Sequence, residues 1–213
     1  MQVSAPQQER RAQGPVTGRG EQRRAALLVA ARTVFERKGF LDTRVSDIVR
    51  EAGVSQGTFY TYFDTKEAIF TEAARATIDA MLVSMIRPLP SADLESRVRE
   101  TISRFVAAYR PHATMIGLIE QVGTFSIELR DLRLELRETF VRRTQRGFAR
   151  LVEAGAAPED LDVEYVSEAL GAMLEYTCYV WFSLGREFDE DRLVTAMSGI
   201  WLNVLAPKGA AQS

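Results

Sequence analysis

The stretch VSDIVREAGVSQGTFYTYFDTKEAIF, from Val45 to Phe70, decides the fold of the N-terminal part of the chain. It begins with an apolar series at the spacing of one buried helix face, formed by Val45, Ile48, Val49 and Ala52. Gly53 then predicts the end of this helix, because glycine adopts the left-handed conformation of a C-terminal cap without strain. The pattern therefore predicts a short amphipathic helix that ends at a turn.

A second short helix is predicted directly after this turn. Ser55 is a suitable N-terminal cap, and the spacing of Phe59 and Phe63 directs both rings toward the core. The remaining positions of this helix face outward: Gln56, Gly57, Thr58, Tyr60, Thr61 and Tyr62. Two short helices joined by a glycine-containing turn form a helix-turn-helix, whose second helix fits the major groove of DNA. We therefore expect a DNA-binding protein.

The composition of the 213-residue chain favours a soluble all-α protein. Most long segments have helical rather than alternating periodicity, and no run of about 18 apolar residues predicts a membrane span. The first 24 residues are polar and basic, which excludes a secretory signal. One cysteine, Cys178, cannot form an internal disulfide and fits a reducing compartment, so we expect a cytoplasmic protein.

The charge is divided unevenly along the chain, although the net charge is only −2. Residues 1–63 contain ten Arg or Lys and six Asp or Glu, so this part is basic and the remainder is acidic. A solvated charged surface explains this division as well as a phosphate-binding surface does. The uneven charge nevertheless places the positive electrostatic potential, which attracts DNA phosphates, at the N-terminal end of the chain.

About nine helices are expected. The chain as a whole is expected to consist of four segments. Residues 1–20 are expected to form a disordered basic arm, residues 21–66 the helix-turn-helix domain, residues 67–207 a helical C-terminal domain, and residues 208–213 a flexible tail. The first helix is expected from Glu21 to Lys38, and the fourth from a cap at Asp64 or Thr65 toward Arg87, before the breaker Pro88–Pro90. The later helices are expected from Ser91 or Asp93 to a break at Pro111, and over 114–125, 127–153, 163–184 and 189–205.

The helix-turn-helix segment and its flanks resemble the TetR family of bacterial transcriptional regulators. The resemblance covers about Glu21 to Phe70, whereas the rest of the chain is similar only in its all-helical architecture. It depends on five short motifs: Lys38-Gly39-Phe40, Asp47-Ile48, Ala52-Gly53-Val54-Ser55, Gly57-Thr58-Phe59-Tyr60, and Phe63 followed by Lys66-Glu67.

The resemblance implies a homodimer that binds double-stranded DNA at a palindromic operator, with two reading helices about one DNA turn apart, ~34–36 Å. It also implies that residues 67–207 form a ligand-binding and dimerisation domain, whose occupation moves the fourth helix. Members of the family are mostly repressors released by a small molecule.

Positions that match the family's DNA contacts fall into two groups. Thr43 and Lys66 match phosphate contacts, and the neighbouring Arg44 either binds phosphate or points into water. The reading-helix positions are Ser55, Gln56, Gly57, Thr58, Tyr60 and Tyr62. The chemistry of these side chains agrees with DNA contact, because hydroxyls can donate to phosphate and Gln56 can pair with adenine. In the arm, Arg19, Arg23 and Arg24 are candidates for minor-groove or phosphate contacts, or are solvated.

A cavity for a hydrophobic small-molecule effector is expected in the C-terminal domain. The candidate lining residues are Met81, Met85, Phe105, Tyr109, Met115, Ile119, Phe125, Phe148, Met173, Tyr176 and Trp181. Bulky and adaptable apolar side chains are typical of ligand sites, although each is also an ordinary core residue. We expect an uncharged or weakly polar effector.

The last two helices are expected to form the dimer interface through Ala172, Val180, Leu193, Met197, Ile200, Trp201 and Val204.

Enzyme function is poorly supported by the sequence. There is one histidine, His112, and neither a nucleophile elbow nor a phosphate-cradling glycine loop. No cofactor and no metal site are expected. The alternation of Glu and Arg over residues 128–137 predicts a solvated helix face. Two alternatives remain: a helical small-molecule carrier or enzyme that keeps the N-terminal domain as scaffold, and a non-specific architectural DNA-binding protein.

Overall fold

The computed structural model describes residues 18–85, 93–124 and 126–206. Within these ranges the chain is all-α, as predicted, and a single 3-10 turn, Arg110–His112, joins the fifth and sixth helices. The α-helices are α1 (Gly18–Lys38), α2 (Val45–Ala52), α3 (Gln56–Tyr62), α4 (Lys66–Met85), α5 (Leu94–Tyr109), α6 (Ala113–Val122), α7 (Ile127–Glu153), α8 (Val163–Phe182) and α9 (Glu190–Leu205).

Most helix bounds lie within three residues of their expected positions. The start of α1 at Gly18 lies inside the segment expected to be a disordered arm, because a first turn of polar residues on an exposed face carries no apolar signal. Arm residues 1–17, the tail 208–213, the expected end of α4 at Arg87 and the Pro88–Pro90 breaker lie outside the described residues.

Side-chain caps fix several helix starts. The Oγ atom of Ser55 accepts from the backbone N–H of Thr58 at 3.2 Å, which starts α3. Of the two candidates for α4, Thr65 is the cap, since its Oγ1 accepts from the N–H of Ala68 at 3.0 Å. Gly53, at φ +65°, ends α2 in the left-handed conformation that the sequence predicts.

The helix-turn-helix does not have a core of its own. The N-terminal core, as we define it, contains buried side chains of α1–α4 such as Leu27, Phe35, Ile48, Phe59 and Phe70, and also Met115, Leu118, Ile119 and Val122 of α6 and Leu129 and Leu132 of α7. The aromatic rings of Phe35, Phe40 and Phe70 pack edge-to-face or stacked at 4.8–5.9 Å. The DNA-binding helices and the C-terminal domain therefore share one buried apolar unit.

A second cluster, the C-terminal core, lies among α4, α5, α7, α8 and α9. Its fully buried members include Ile102, Val106, Leu174, Cys178 and Leu205, and Trp201 packs edge-to-face on Phe148 at 5.7 Å. Burial raises the pKa of the Cys178 thiol to about 12, so this cysteine is a packing residue rather than a reactive thiolate.

One carboxylate holds α2 against α1. The Oδ2 atom of Asp47 accepts from Lys38 Nζ of α1 at 2.7 Å and from the backbone N–H of Arg44 at 3.1 Å, while Oδ1 accepts from Arg50 at 2.7 Å. The bonds from Lys38 and the Arg44 backbone hold the pKa of Asp47 down at about 2. Because the folded pKa is depressed, Asp47 stabilises the fold above its unfolded pKa of ~3.9, and this stabilisation is lost as the pH falls toward 2.

We predict that Asp47→Asn lowers the Tm at pH 7, because it removes the charge that Lys38, Arg50 and the start of α2 share. The Tm difference from the wild type should shrink as the pH falls from 4 toward 2, which thermal melts followed by circular dichroism would measure. The control is Asp42→Asn, because Asp42 lies exposed in the α1–α2 turn. Equal Tm values for Asp47→Asn and the wild type at pH 7 would contradict this role.

Candidate nucleic-acid interface and ligand cavities

The outer surface of α3 is polar and exposed, while one aromatic side chain anchors the helix from behind. Phe59 is fully buried in the N-terminal core, whereas Gln56 and Tyr60 are exposed and Thr58 is half-buried. The Tyr60 ring, 55% exposed, stands edge-on against Phe59 at 5.3 Å. This arrangement presents a short row of hydrogen-bonding groups on a fixed helix.

The first turn of α3 is arranged by Ser55 and Thr58. Besides capping α3, the Ser55 hydroxyl lies 3.0 Å from that of Thr58. A Cβ added at Gly57 would meet only Ser55 Oγ, at 3.7 Å. Packing within the chain therefore does not require glycine here, although glycine costs ~1 kcal/mol relative to alanine within a helix. Gly57 is exposed, so the backbone of α3 is open to solvent at this position.

The expected phosphate contacts have different environments. Arg44 is exposed, and its guanidinium makes no ion pair with any described residue. Lys66 donates from Nζ to the carbonyl of Phe40 at 2.8 Å and lies over the Phe40 ring at 4.3 Å, which leaves two of its three donors. Thr43 is buried, and its hydroxyl donates to the Gly39 carbonyl at 2.6 Å, so its side chain holds the α1–α2 turn.

Two other candidates point partly inward. Tyr62 is half-buried and packs against the N-terminal core. Arg24 pairs with Glu72 of α4 and lies over the Phe63 ring at 5.1 Å, so it joins α1 to α4. Arg19 and Arg23 are exposed on α1.

A cavity of about 70 Å³, which we call the inner cavity, lies among α4, α5, α6, α7 and α8. Five expected ligand residues line it: Met81, Met85, Phe105, Tyr109 and Ile119. The other apolar lining residues are Ile78, Leu82, Ile116 and Phe140. Ile78 and Ile119 also belong to the N-terminal core, so the cavity wall and the support of the DNA-binding helices share side chains.

Part of the lining of the inner cavity is charged and is formed by Glu120, Arg133, Arg137 and Glu175. Arg133 donates to Glu120 of α6 at 2.6 Å, and Arg137 donates to Glu168 and Glu175 of α8, each at 2.7 Å. Burial raises the pKa of Glu120, although Arg133 opposes this shift. The Glu-Arg alternation over residues 128–137 is therefore only partly a solvated face, since periodicity within one helix does not show that Arg133 and Arg137 reach carboxylates of α6 and α8.

Tyr109 is nearly fully buried between the inner cavity and α8. Its ring stacks with Phe182 at 5.8 Å, and its hydroxyl has no hydrogen-bond partner of ordinary geometry among the described residues. Burial raises the pKa of this hydroxyl, with Cys178 adding to the rise. The nearby Ser183 hydroxyl opposes this rise in pKa, and the Tyr109 hydroxyl stays neutral at pH 7.

A larger cavity of about 540 Å³, which we call the outer groove, lies among α4, α5, α7 and α9. Its apolar lining is formed by Met85, Leu94, Val98, Phe140, Phe148, Leu151, Trp201 and Leu205, and its polar lining by Arg97, Thr101, Arg104, Arg143, Thr144, Arg146, Gly147 and Arg150. Phe148, an expected ligand residue, belongs here. Met85 and Phe140 line both cavities, so the two are neighbours.

The remaining expected ligand residues line neither cavity. Met115 is fully buried in the N-terminal core, and Met173 and Trp181 pack partly against the C-terminal core. Tyr176 is 65% exposed on α8. Phe125 lies outside the described residues. Helical periodicity identifies these side chains as apolar or aromatic, but it does not distinguish which of two adjacent cores each one joins.

A metal site and a membrane span each have requirements that the described part of the chain can be compared with. No three His, Cys, Asp or Glu side chains lie together there as metal ligands would. None of its helices is long and apolar enough to cross a membrane.

An exposed polar helix on an all-α scaffold with adjoining cavities defines a ligand-binding helix-turn-helix regulator of transcription. Residues 27–73 match the family model for bacterial regulatory proteins of the tetR family. Residues 98–205, just over half of the chain, match the C-terminal domain of the transcriptional regulator EthR. The chain therefore belongs to the TetR family of bacterial transcriptional regulators, and it is a DNA-binding regulator rather than a member of an enzyme family.

Individual relatives agree with this assignment. The HTH-type transcriptional regulator EthR of Mycobacterium tuberculosis is 28% identical over 213 residues, covering 95% of this chain and 96% of EthR. The HTH-type transcriptional regulator YdgC of Bacillus subtilis is 29% identical over 201 residues, covering 90% and 96%. A TetR-family regulator from Mesorhizobium loti has the same fold, with a TM-score of 0.73 at 20% identity over 88% of this chain and 98% of that one.

We predict that Tyr109→Phe leaves the Tm unchanged or raises it. The substitution removes a buried hydroxyl that makes no hydrogen bond of ordinary geometry with a described residue, and such a group costs ~1–3 kcal/mol when unsatisfied. Differential scanning calorimetry of the ligand-free protein measures the change, with Tyr165→Phe as a control at an exposed tyrosine. A clear fall in Tm for Tyr109→Phe would show that the hydroxyl has a stabilising partner.

Proposed function

We propose that the protein is a homodimeric repressor that binds a palindromic operator and is released by a hydrophobic small molecule. The observation that carries this proposal is α3 itself, which is anchored by Phe59 and exposes Gln56, Gly57 and Tyr60. A helix held from one side and polar on the other fits the major groove.

Each exposed group has a role in this proposal. Gln56 pairs with adenine and supplies base discrimination, and the hydroxyl of Tyr60 donates to a backbone phosphate. Arg44 binds phosphate as an unpaired cation, and Lys66 uses the donors that Phe40 leaves free. Thr43 contributes indirectly, since it holds the turn from which Arg44 projects.

Dimerisation uses the exposed face of α8 and α9. Tyr176 and Ile200 are exposed there, and they adjoin the half-buried Ala172, Val180 and Val204. An apolar face of this kind is favourable in water only when a partner covers it. The expected interface residues Leu193, Met197 and Trp201 are buried in the C-terminal core of the protomer, so they support α9 rather than contact a second copy.

Release of DNA follows from the side chains that the inner cavity shares with the N-terminal core. At about 70 Å³ the inner cavity is far below the ~300–1,000 Å³ of typical ligand sites, so a ligand must displace its walls. Ile78 of α4 and Ile119 of α6 are such walls, and both belong to the N-terminal core that also contains Phe59 of α3. Displacing them moves α4, and with it α3.

Selection of random duplexes by the purified protein, refolded from guanidinium to remove bound molecules, tests this function. We expect a palindrome bound at least ~10³-fold more tightly than scrambled DNA. A carrier or enzyme that keeps the N-terminal domain as scaffold would select nothing. A non-specific architectural protein would bind all duplexes with a steep salt dependence.

On the selected operator, we predict that Gln56→Ala reduces the preference at one base pair of each half-site by ~10- to 100-fold, because a bidentate pair with adenine contributes ~1–3 kcal/mol of discrimination. Titrations of single-base operator variants measure this loss. Gln121→Ala is the matched control, since it removes the same side chain from an exposed position on α6. An unchanged preference in Gln56→Ala would assign base reading to another residue.

A further inference from the structure

The lining of the outer groove has charges of only one sign. Of the described residues that line it, five are arginines and none is Asp or Glu. Arg97, Arg143 and Arg150 are exposed and make no ion pair with any described residue, whereas Arg104 pairs with Glu100 on its own helix. Cationic side chains gathered around one cleft repel each other and focus a positive potential there, which an anion relieves.

The floor beneath these arginines is apolar and aromatic. Trp201 and Phe148 are buried and line the groove together with leucine and valine side chains. The indole N–H of Trp201 is buried without an acceptor among the described residues. At about 540 Å³ the groove falls within the ~300–1,000 Å³ of small-molecule sites. A purely ionic ligand leaves such a floor uncovered, whereas an amphiphile covers it.

The inner cavity offers a path for the apolar part of an amphiphile. Met85 and Phe140 separate the outer groove from the inner cavity and line both. Methionine has three rotatable bonds and adapts to irregular space, so a flexible chain can pass beside Met85. The charged lining of the inner cavity is balanced, with the carboxylates of Glu120 and Glu175 against the guanidinium groups of Arg133 and Arg137. An anionic head therefore finds unbalanced positive charge only at the outer groove, and the apolar chain is the part that enters the inner cavity.

We propose that the two cavities together bind a single-chain amphiphile with an anionic head, a phosphate or a carboxylate. The head lies among Arg97, Arg143 and Arg150, and the alkyl chain passes Met85 and Phe140 into the inner cavity. This inference rests on the proposed ligand response of the C-terminal domain. It replaces the uncharged effector expected from the sequence, because only the packing of α5 against the same groove as α7 brings Arg97 together with Arg143 and Arg150.

Isothermal titration calorimetry of the full-length protein tests the inference with three ten-carbon probes below their micelle concentrations: decyl phosphate, decanoate and decanol. We expect one decyl phosphate or decanoate per protomer, with decanol at least ~10-fold weaker. The tighter of the two anionic probes identifies the head group. Inorganic phosphate alone should bind at least ~10-fold more weakly than decyl phosphate, since it covers no apolar surface.

The double variant Arg143→Gln/Arg150→Gln should weaken the preferred anionic probe at least ~10-fold and leave decanol unchanged. Arg130→Gln/Arg142→Gln is the matched control, because it removes the same charge from exposed positions of α7 that do not line the groove. Equal binding of all three probes, or equal affinity in both double variants, would overturn the inference. Inorganic phosphate binding as tightly as decyl phosphate would also overturn it.

Failure of this inference is distinguishable from failure of the proposed function. If the selected operator is bound but the anionic probes neither bind nor release it, the groove is a solvated surface and the regulator responds to a different ligand. If no duplex is selected but an anionic probe binds in an arginine-dependent manner, the site is correct and the repressor function is wrong.

Discussion

The shared N-terminal core is the constraint on which the rest of the structure depends. α3 has seven residues, too few for an isolated helix to be stable in water, so its position is set by what Phe59 packs against. That core is completed by α6, through buried side chains such as Leu118 and Ile119. The DNA-binding surface is therefore held in place by helices of the ligand domain. This joint burial explains how one chain can connect a cavity to a reading helix without a separate signalling element.

The charged side chains are organised differently in the helix-turn-helix and around the outer groove. Asp47 pairs with both Lys38 and Arg50, which fixes α2, while Arg44 remains exposed at the start of that helix. At the outer groove, Arg97, Arg143 and Arg150 are not paired in this way with any described residue. The cations thus divide into those that hold helices together and those that face solvent, and the second group marks both proposed binding surfaces.

Much of this fold is predictable from the sequence, because local signals determine it. Ser55 and Gly53 mark the ends of short helices by their chemistry, and α7 begins and ends where its apolar series predicts. In contrast, the local sequence does not show which side chains of other helices a residue packs against. Met115 has the same apolar spacing in α6 as Ile119, yet only Ile119 reaches the inner cavity. The convergence of arginines from α5 and α7 likewise depends on packing between helices.

Amide hydrogen exchange of the wild type and of Leu118→Ala tests the central claim that α1, α4 and α6 form one cooperative unit through the shared N-terminal core. Leu118 lies far along the chain from α3, but it is buried in the shared core, and its truncation should cost ~2–5 kcal/mol. We predict that exchange accelerates in α1 and α4 by the same factor as in α6, and less so in Leu174→Ala, a matched truncation in the C-terminal core. Faster exchange in α6 with α1 and α4 unchanged would contradict the claim.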